Sequence, residues 1–187
     1  MNKHLKRVLI GSVVLGLVVA CAFGVYYRYF YVKHFGVVQE GVLYRSGQPD
    51  RRDLKRLRDA YGIRTIVNLR RADEQDGAEG LSLSEERLAV EQLGLRFFHL
   101  PMDGDAKVDP NTVNRWLEIA EAPENHPILI HCKAGVDRTG LLAAAYRIRV
   151  QRWSPQKALD EATSEGIDPS SDRNLVEFIL QTPVSRQ

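Results

Sequence analysis

The residues best suited to chemistry in this chain are Cys132 and Arg138, which stand at the two ends of a seven-residue segment, residues 132–138. A loop of this length can curl so that its backbone N–H groups converge on an oxyanion. The arginine guanidinium adds a planar, two-pronged donor for phosphate oxygens. A thiolate at the centre of such a loop can attack phosphorus. The sequence therefore predicts phosphoryl transfer to Cys132, with Arg138 and the loop amides holding the phosphate.

The whole segment 131–140, His-Cys-Lys-Ala-Gly-Val-Asp-Arg-Thr-Gly, resembles the active-site signature of the Cys-x5-Arg phosphatases, the protein tyrosine phosphatase superfamily. Tyr-Arg-Ser-Gly-Gln-Pro at 44–49 and Val-Asn-Leu-Arg at 67–70 resemble its small bacterial and atypical dual-specificity members. The resemblance covers residues 35–181. It implies an enzyme that hydrolyses phosphotyrosine in proteins, with phosphoserine and phosphothreonine as additional candidate substrates. The implied mechanism proceeds through a phosphocysteine and needs no metal or other cofactor.

The resemblance also implies a general acid after the strand that ends at Leu100-Pro101. The spacing favours Asp105, with Asp103 and Asp137 as alternatives. His131 is expected to hold the loop by hydrogen bonds. The hydroxyl of Thr139 is expected to bind the cysteine sulfur. The predicted phosphate-binding residues are Lys133, Ala134, Gly135, Val136, Asp137 and Thr139.

Lys133 leaves a second substrate class open. A lysine after the cysteine resembles the loop of the phosphoinositide 3-phosphatase tumour suppressor, and this resemblance implies a phosphoinositide or inositol phosphate substrate as the alternative. The second loop lysine of that protein is replaced here by Val136-Asp137. Because Asp137 opposes the charge of Lys133, the pair argues against a polyanionic substrate.

Two readings from other classes are weaker. A phosphate-binding module without catalysis is disfavoured because Cys132, Arg138 and a nearby aspartate are all retained. Rhodanese-like sulfur transfer is disfavoured by the length of the loop and by the Arg-Thr-Gly that closes it.

The elements that must position these residues alternate between strand and helix. Apolar, β-branched runs predict strands at 42–45, 65–69, 95–100 and 127–131. Caps and apolar periodicity predict helices at 50–61, 82–93, 109–122, 140–151, 154–165 and 171–181. Residues 33–41 are interpreted as a linker. We expect an α/β fold with a central, mostly parallel sheet of four to five strands flanked by helices. The Cys132 loop then lies at the carboxyl end of a strand, where such sheets bind ligands.

Several charged residues allow a simpler interpretation. Arg45, Arg70 and Arg71 either line the phosphate pocket or have packing and surface roles. Glu85 and Glu86 are interpreted as a solvated helix face.

The N-terminus predicts a membrane anchor. Residues 8–26 are uncharged and strongly apolar, near the length that spans a hydrocarbon core. Basic residues precede this run and aromatic residues follow it. We expect a single transmembrane helix within an anchor segment, 1–34, and a dual-specificity phosphatase-like catalytic domain, 35–187, that faces the periplasm or its equivalent. The alternatives are a lipoprotein signal with Cys21 as the lipidated residue, a cleaved secretory signal, and a buried core helix.

Charge and cysteine content exclude other classes. The formal charge is +2, and residues 1–34 hold five basic and no acidic residues. The remaining chain therefore has a net charge of −3, which predicts no nucleic-acid partner. The two cysteines, Cys21 and Cys132, form no metal-binding motif. The expected partners are a phosphorylated protein and a membrane, and the sequence predicts no oligomeric state.

Overall fold

The structure is a computed structural model that describes residues 3–74, 80–103 and 108–184. It divides into two units, residues 1–32 and residues 33–187. Each unit is described by itself.

The first unit consists of helix α1, Lys3–Phe30. A helix that crosses a bilayer needs about 20 consecutive apolar residues. Within the described residues, no helix combines the length and the apolar character that a membrane crossing requires. The predicted transmembrane helix over residues 8–26 is therefore not supported. The periplasmic location that followed from it stays a prediction.

The second unit is built on a five-stranded sheet. Its strands are β1 Gly36–Gln39, β2 Leu43–Ser46, β3 Thr65–Asn68, β4 Arg96–His99 and β5 Ile128–His131. They lie in the order β1-β2-β5-β3-β4. The β2-β5, β5-β3 and β3-β4 pairs are parallel and β1 is antiparallel to β2. The predicted mostly parallel α/β sheet is confirmed, and the extra antiparallel edge strand lies in the segment that we had interpreted as a linker.

The register of the parallel strands brings their carboxyl ends to one level. Asn68 is paired with both His131 and His99, and Ser46 is paired with His131. These four residues are the last residues of their strands. The loops that follow the four strands therefore leave the sheet side by side, which is where the Cys132 loop begins.

Within the described residues, six α-helices flank the sheet. They are α2 Arg51–Tyr61, α3 Leu83–Gln92, α4 Pro110–Glu121, α5 Asp137–Arg149, α6 Pro155–Ser164 and α7 Arg173–Gln181. The predicted caps are present: the side chains of Asp50 and Ser82 close capping boxes at α2 and α3. Helix α5 begins three residues before the predicted position, so Arg138 lies in its first turn.

The sheet is covered on both faces. Leu43, Val67 and Ile130 belong to one core cluster with residues of α4 to α7. The alternate residues Ile66 and Leu129 are also fully buried but lie outside that cluster. Successive side chains of a strand point to opposite faces of the sheet. Side chains on both faces of the sheet are therefore buried, one set in this core cluster and the other set outside it. The strands that lead to the carboxyl edge are thus packed from both sides.

Candidate active site

Cys132 follows β5 directly and begins the segment 132–138, called the Cys132 loop here. Its side chain is 1% exposed. The backbone N–H of Gly135 donates a hydrogen bond to the sulfur at 3.1 Å. The loop therefore bends back over the cysteine and points at least one amide at the sulfur, as an anion-binding loop requires.

The carbonyl groups of the Cys132 loop are held by donors from outside the loop. The backbone N–H of Gln48 donates to the carbonyl of Lys133 at 3.2 Å. The Nδ1 of His34 lies 2.6 Å from the carbonyl of Ala134. Arg45 Nη2 donates to the carbonyl of Gly135 at 2.6 Å. In a planar trans peptide the C=O and the following N–H point in opposite directions. Three carbonyls turned outward therefore turn the next three N–H groups toward the loop centre.

Two glycines allow the close approach behind this arrangement. Gly135 has φ +84°, and a side chain there would lie 2.6 Å from the carbonyl carbon of Ser46. A side chain on Gly47 would lie 2.8 Å from the carbonyl oxygen of Ala134. The two backbones pass each other with no room for a Cβ atom. The Ser46–Gly47–Gln48 segment thus forms the back wall of the Cys132 loop.

Arg138 is 9% exposed and forms a bidentate ion pair with Glu74. Its Nη1 and Nη2 donate to the two carboxylate oxygens at 2.7 and 2.8 Å. Nη1 also lies 3.3 Å from the carbonyl oxygen of Met102. The hydrogen bond to Glu74 raises the pKa of Arg138, burial lowers it, and the charge of Cys132 raises it further, so that the pKa lies above its usual value. The guanidinium is thereby fixed in place next to the sulfur.

The remaining loop residues differ in exposure. Lys133 is exposed, and Ala134, Val136 and Asp137 are half-buried. Asp137 lies in the first turn of α5, where the positive end of the helix dipole stabilises its negative charge. The buried hydroxyl of Thr139 has no hydrogen-bond partner among the described residues. The predicted hydrogen bond from this hydroxyl to the cysteine sulfur is not formed in this structure, in which the N–H of Gly135 donates to the sulfur.

The acid candidates fall in different places. Asp105, the favoured residue, lies outside the described residues. Asp103 is exposed and accepts a hydrogen bond from Arg71 at 2.6 Å. Arg71 also pairs with Asp73, so it belongs to a surface ion network rather than to the phosphate pocket.

Arg45 and Arg70 have structural partners. Arg45 is 4% exposed, and beside its bond to Gly135 its Nη1 lies 3.7 Å from Glu165. Arg70 is 2% exposed and donates to Gln48 and to the backbone of Leu81. Burial lowers the pKa of both arginines. These contacts fit the packing role that the sequence allows for the two arginines. The charge of Cys132 also acts on both, so a place at the phosphate pocket stays a prediction.

Two acidic residues of this site were missed by the sequence analysis. Glu74 lies in a segment that looked like a charged surface loop. Glu86, which was interpreted as part of a solvated helix face, is 0% exposed and bonds to His131. Its neighbour Glu85 is exposed as predicted. The available signal for Glu74 was its place a few residues after a predicted parallel strand, at the edge where Arg138 also lies.

No group of three or more His, Cys, Asp or Glu side chains within residues 3–74, 80–103 and 108–184 is arranged to hold a metal ion.

Comparison with known proteins gives a consistent result. Residues 33–177 match the family described as DSP-PTPase phosphatase fused to NAD+ kinase. Dual specificity protein phosphatase TpbA of Pseudomonas aeruginosa is 32% identical over 130 residues, which cover 70% of this chain and 54% of that protein. Inositol diphosphatase DSP3 of Arabidopsis thaliana is 32% identical over 134 residues, 68% of this chain and 60% of that protein. The chain thus spans little more than half the length of these relatives.

Solved structures agree with these relatives. The catalytic core of the PP-IP phosphatase SIW14 of Saccharomyces cerevisiae superimposes with a TM-score of 0.67 at 26% identity, covering 81% of this chain and 86% of that one. TpbA of P. aeruginosa superimposes with a TM-score of 0.64 at 28% identity, covering 81% and 86%. A TpbA variant has also been crystallised in complex with pTyr, with a TM-score of 0.60 at 28% identity, covering 76% and 81%.

The ion pair between Glu74 and Arg138 predicts a pH-dependent contribution to stability. The hydrogen bonds from Arg138 lower the pKa of Glu74 from 4.5 to about 2. The pair therefore stabilises the folded state fully above about pH 4.5, and this contribution is lost as the pH falls toward 2. We expect Glu74→Gln to lower the free energy of unfolding by about 2 kcal/mol at pH 7. The deficit should shrink steadily between pH 4.5 and 2 in urea unfolding.

Glu118→Gln is the matched control, because Glu118 pairs with Arg115 at 3.1 Å on an exposed helix face. Such exposed pairs contribute about 0.5 kcal/mol or less. Equal losses for the two variants at pH 7 would contradict the special role assigned to the Glu74 pair.

Proposed function

We propose a reaction for this chain on the basis of its family. The chain belongs to the Cys-based protein tyrosine phosphatase superfamily, in its atypical dual-specificity branch. The proposed activity is hydrolysis of phosphate monoesters through a phosphocysteine. The observation that carries it is the Cys132 loop, where a buried sulfur accepts the N–H of Gly135 and lies beside the fixed guanidinium of Arg138.

The first step transfers the phosphoryl group to the enzyme. The Cys132 thiolate attacks phosphorus, the S–P bond forms, and the P–O bond to the leaving group breaks. The inward N–H groups of the Cys132 loop and Arg138 hold the three non-bridging oxygens as their charge redistributes. Because Glu74 already fixes the guanidinium, little reorganisation is needed when the phosphate arrives.

The second step, hydrolysis of the phosphocysteine, needs a general base, and the carboxylate that acted as the acid in the first step can serve as that base. An acid protonates the leaving oxygen, and the resulting carboxylate then takes a proton from the water that attacks the phosphocysteine, releasing phosphate and the thiolate. We assign this role to Asp105. Support comes from Asp103, the nearest alternative, whose carboxylate is occupied by Arg71. Asp137, the other alternative, lies in the first turn of α5.

The proposed substrate is phosphotyrosine in proteins, with phosphoserine and phosphothreonine as possible further substrates. The charges beside the Cys132 loop support this choice. Lys133 is exposed there, but Asp137 lies in the same loop and Glu165 lies 3.7 Å from Arg45, which binds the loop. We call Lys133, Asp137 and Glu165 the loop rim. Arg45 is the partner of Glu165, so the acidic and basic side chains balance here and offer no excess positive charge to a densely phosphorylated ligand.

An inositol phosphate is the second candidate. It is favoured by the relatives that are named inositol diphosphatases and by the exposed lysine at the loop rim. A membrane phosphoinositide belongs to the same chemical class. An assay with both substrates distinguishes a soluble inositol phosphate from the membrane lipid.

Substitution of the nucleophile tests the mechanism. Cys132→Ser is expected to lower kcat for p-nitrophenyl phosphate by at least about a thousandfold, since the covalent route is lost. Acid quenching of the wild-type reaction, followed by mass spectrometry, should find a phosphoryl group on Cys132. Cys21→Ser removes the other cysteine and should leave both readouts unchanged. Turnover by Cys132→Ser at the wild-type rate, or a phosphoryl group on another residue, would exclude the mechanism.

Leaving-group dependence tests the acid. Asp105→Asn is expected to lower kcat by about a hundredfold or more for phenyl phosphate, whose leaving group needs the proton. The loss should be much smaller for p-nitrophenyl phosphate, whose leaving group is stable as an anion. Asp103→Asn is the matched control and should affect both substrates equally and slightly. A leaving-group effect at Asp103 instead of Asp105 would reverse the assignment.

A substrate panel tests the specificity. The full chain is assayed on a phosphotyrosine peptide, a diphosphoinositol phosphate, and vesicles that contain a phosphoinositide. We expect kcat/KM to be at least about tenfold higher for the peptide, because the side chains beside the loop offer no excess positive charge to a densely phosphorylated ligand. A higher kcat/KM for either inositol substrate would replace the proposed substrate and leave the phosphocysteine mechanism intact.

A further inference from the structure

Glu86 is a fully buried carboxylate that the proposed reaction does not use. It lies on α3 between exposed neighbours, and its own side chain is 0% exposed. A buried charge costs several kcal/mol unless it is paired and hydrogen-bonded. A helix that only needed to cover the sheet would carry an apolar residue at this position. The surroundings of Glu86 therefore indicate what the carboxylate does.

Three side chains donate to the two oxygens of Glu86. Its Oε1 lies 2.7 Å from the Nε2 of His131. Its Oε2 accepts hydrogen bonds from Gln48 Nε2 and Asn68 Nδ2, both at 2.8 Å. Burial raises the pKa of Glu86, whereas the charge of His131 and the hydrogen bonds from His131 and Gln48 lower it, and the net pKa lies below its usual value. Both oxygens of Glu86 thus have hydrogen-bond partners.

The three donors come from three neighbouring strands. Asn68 and His131 are the last residues of β3 and β5, and they are paired in the sheet register. Gln48 follows β2 by two residues. One carboxylate therefore ties together the carboxyl ends of the three central strands.

Two of these donors also contact the Cys132 loop. The Nδ1 of His131 lies 3.4 Å from the carbonyl oxygen of Cys132. The backbone N–H of Gln48 donates to the carbonyl of Lys133 at 3.2 Å. Each donor thus has one contact with Glu86 and another with the first residues of the loop.

We propose that Glu86 is a positioning residue for the reaction at Cys132. Its carboxylate sets the orientation of the His131 ring relative to the carbonyl of Cys132. It also fixes Gln48, whose backbone N–H holds the carbonyl of Lys133 away from the loop centre. Glu86 does not touch the substrate. It acts through these two residues on the direction of the loop N–H groups and on the position of the sulfur. This inference rests on the proposed phosphatase function.

The test uses Glu86→Gln, His131→Asn and the double variant. Glutamine keeps the shape of Glu86 but turns an N–H toward a donor. A shift of about 1 Å at a reacting group costs about a hundredfold in rate. We therefore expect Glu86→Gln to lower kcat for p-nitrophenyl phosphate by about 10- to 100-fold, with KM within about threefold of wild type. The double variant should lose no more than the worse single variant, because both changes break one chain of contacts.

A second readout does not depend on turnover. The rate at which iodoacetamide alkylates Cys132 at one fixed pH should change at least about threefold in Glu86→Gln, and no further in the double variant. Glu91→Gln, on an exposed position of the same helix, is the matched control and should keep the wild-type kcat and alkylation rate. Thermal unfolding confirms that each variant is folded at the assay temperature.

A folded Glu86→Gln protein with wild-type kcat and alkylation rate would overturn the proposal, as would losses that multiply in the double variant. If Glu86→Gln does not fold, NMR of the wild-type His131 ring decides, because the proposal requires a proton on Nε2 directed at Glu86. A ring that lacks the proton on either nitrogen would overturn it, because the contact of Nδ1 with the Cys132 carbonyl oxygen also needs a donor. Absence of phosphatase activity in the wild-type protein would contradict the proposed function, while the alkylation and NMR results would still test the contact chain.

Discussion

The candidate site depends on one constraint: the carbonyls of the Cys132 loop must point away from the sulfur. Donors from the segment 34–48 meet this constraint, through the ring of His34, the guanidinium of Arg45 and the backbone N–H of Gln48. Without such partners the carbonyls of a buried loop would turn toward whatever donors were near. The inward N–H groups are thus a consequence of bonds made on the outer side of the loop. The segment that supplies these bonds includes the antiparallel edge strand β1 and the parallel strand β2.

Most of the buried ionisable side chains that the structure describes lie around the Cys132 loop, and Arg147, near the end of α5, is an exception. Arg45, Arg70, Arg138, Glu86 and His131 are each 9% exposed or less. Removal of such groups from water costs several kcal/mol each, and the attraction between them offsets this cost when hydrogen bonds are complete. The arrangement therefore contributes little net stability compared with an apolar core. Its contribution is to fix the positions of Cys132 and Arg138, because each buried polar group has one arrangement in which all its hydrogen bonds are made.

Local signals in the sequence predicted the framework of the fold. The caps at Asp50 and Ser82 and the alternation of strands and helices gave bounds close to those observed. Strand β1 was missed because a four-residue edge strand has no local pattern that distinguishes it from a linker. Glu74 and Glu86 were missed for a different reason. A charged residue looks solvated in a sequence unless its partner is known, and their partners Arg138 and His131 lie 64 and 45 residues away.

In the proposed reaction, the groups that bind the phosphoryl group are different from the side chains that face the rest of the substrate. In the proposed reaction the loop amides and the guanidinium of Arg138, which Glu74 holds in place, donate to the phosphoryl group whatever it is attached to. The loop rim, by contrast, includes side chains that extend from α5 and from the turn before Gly166. A side chain on Gly166 would lie 3.0 Å from Val136, so this turn packs directly against the loop. One fold and one reaction can serve different substrates when the residues around the site differ. Relatives that are named for protein and for inositol substrates are what such a division permits.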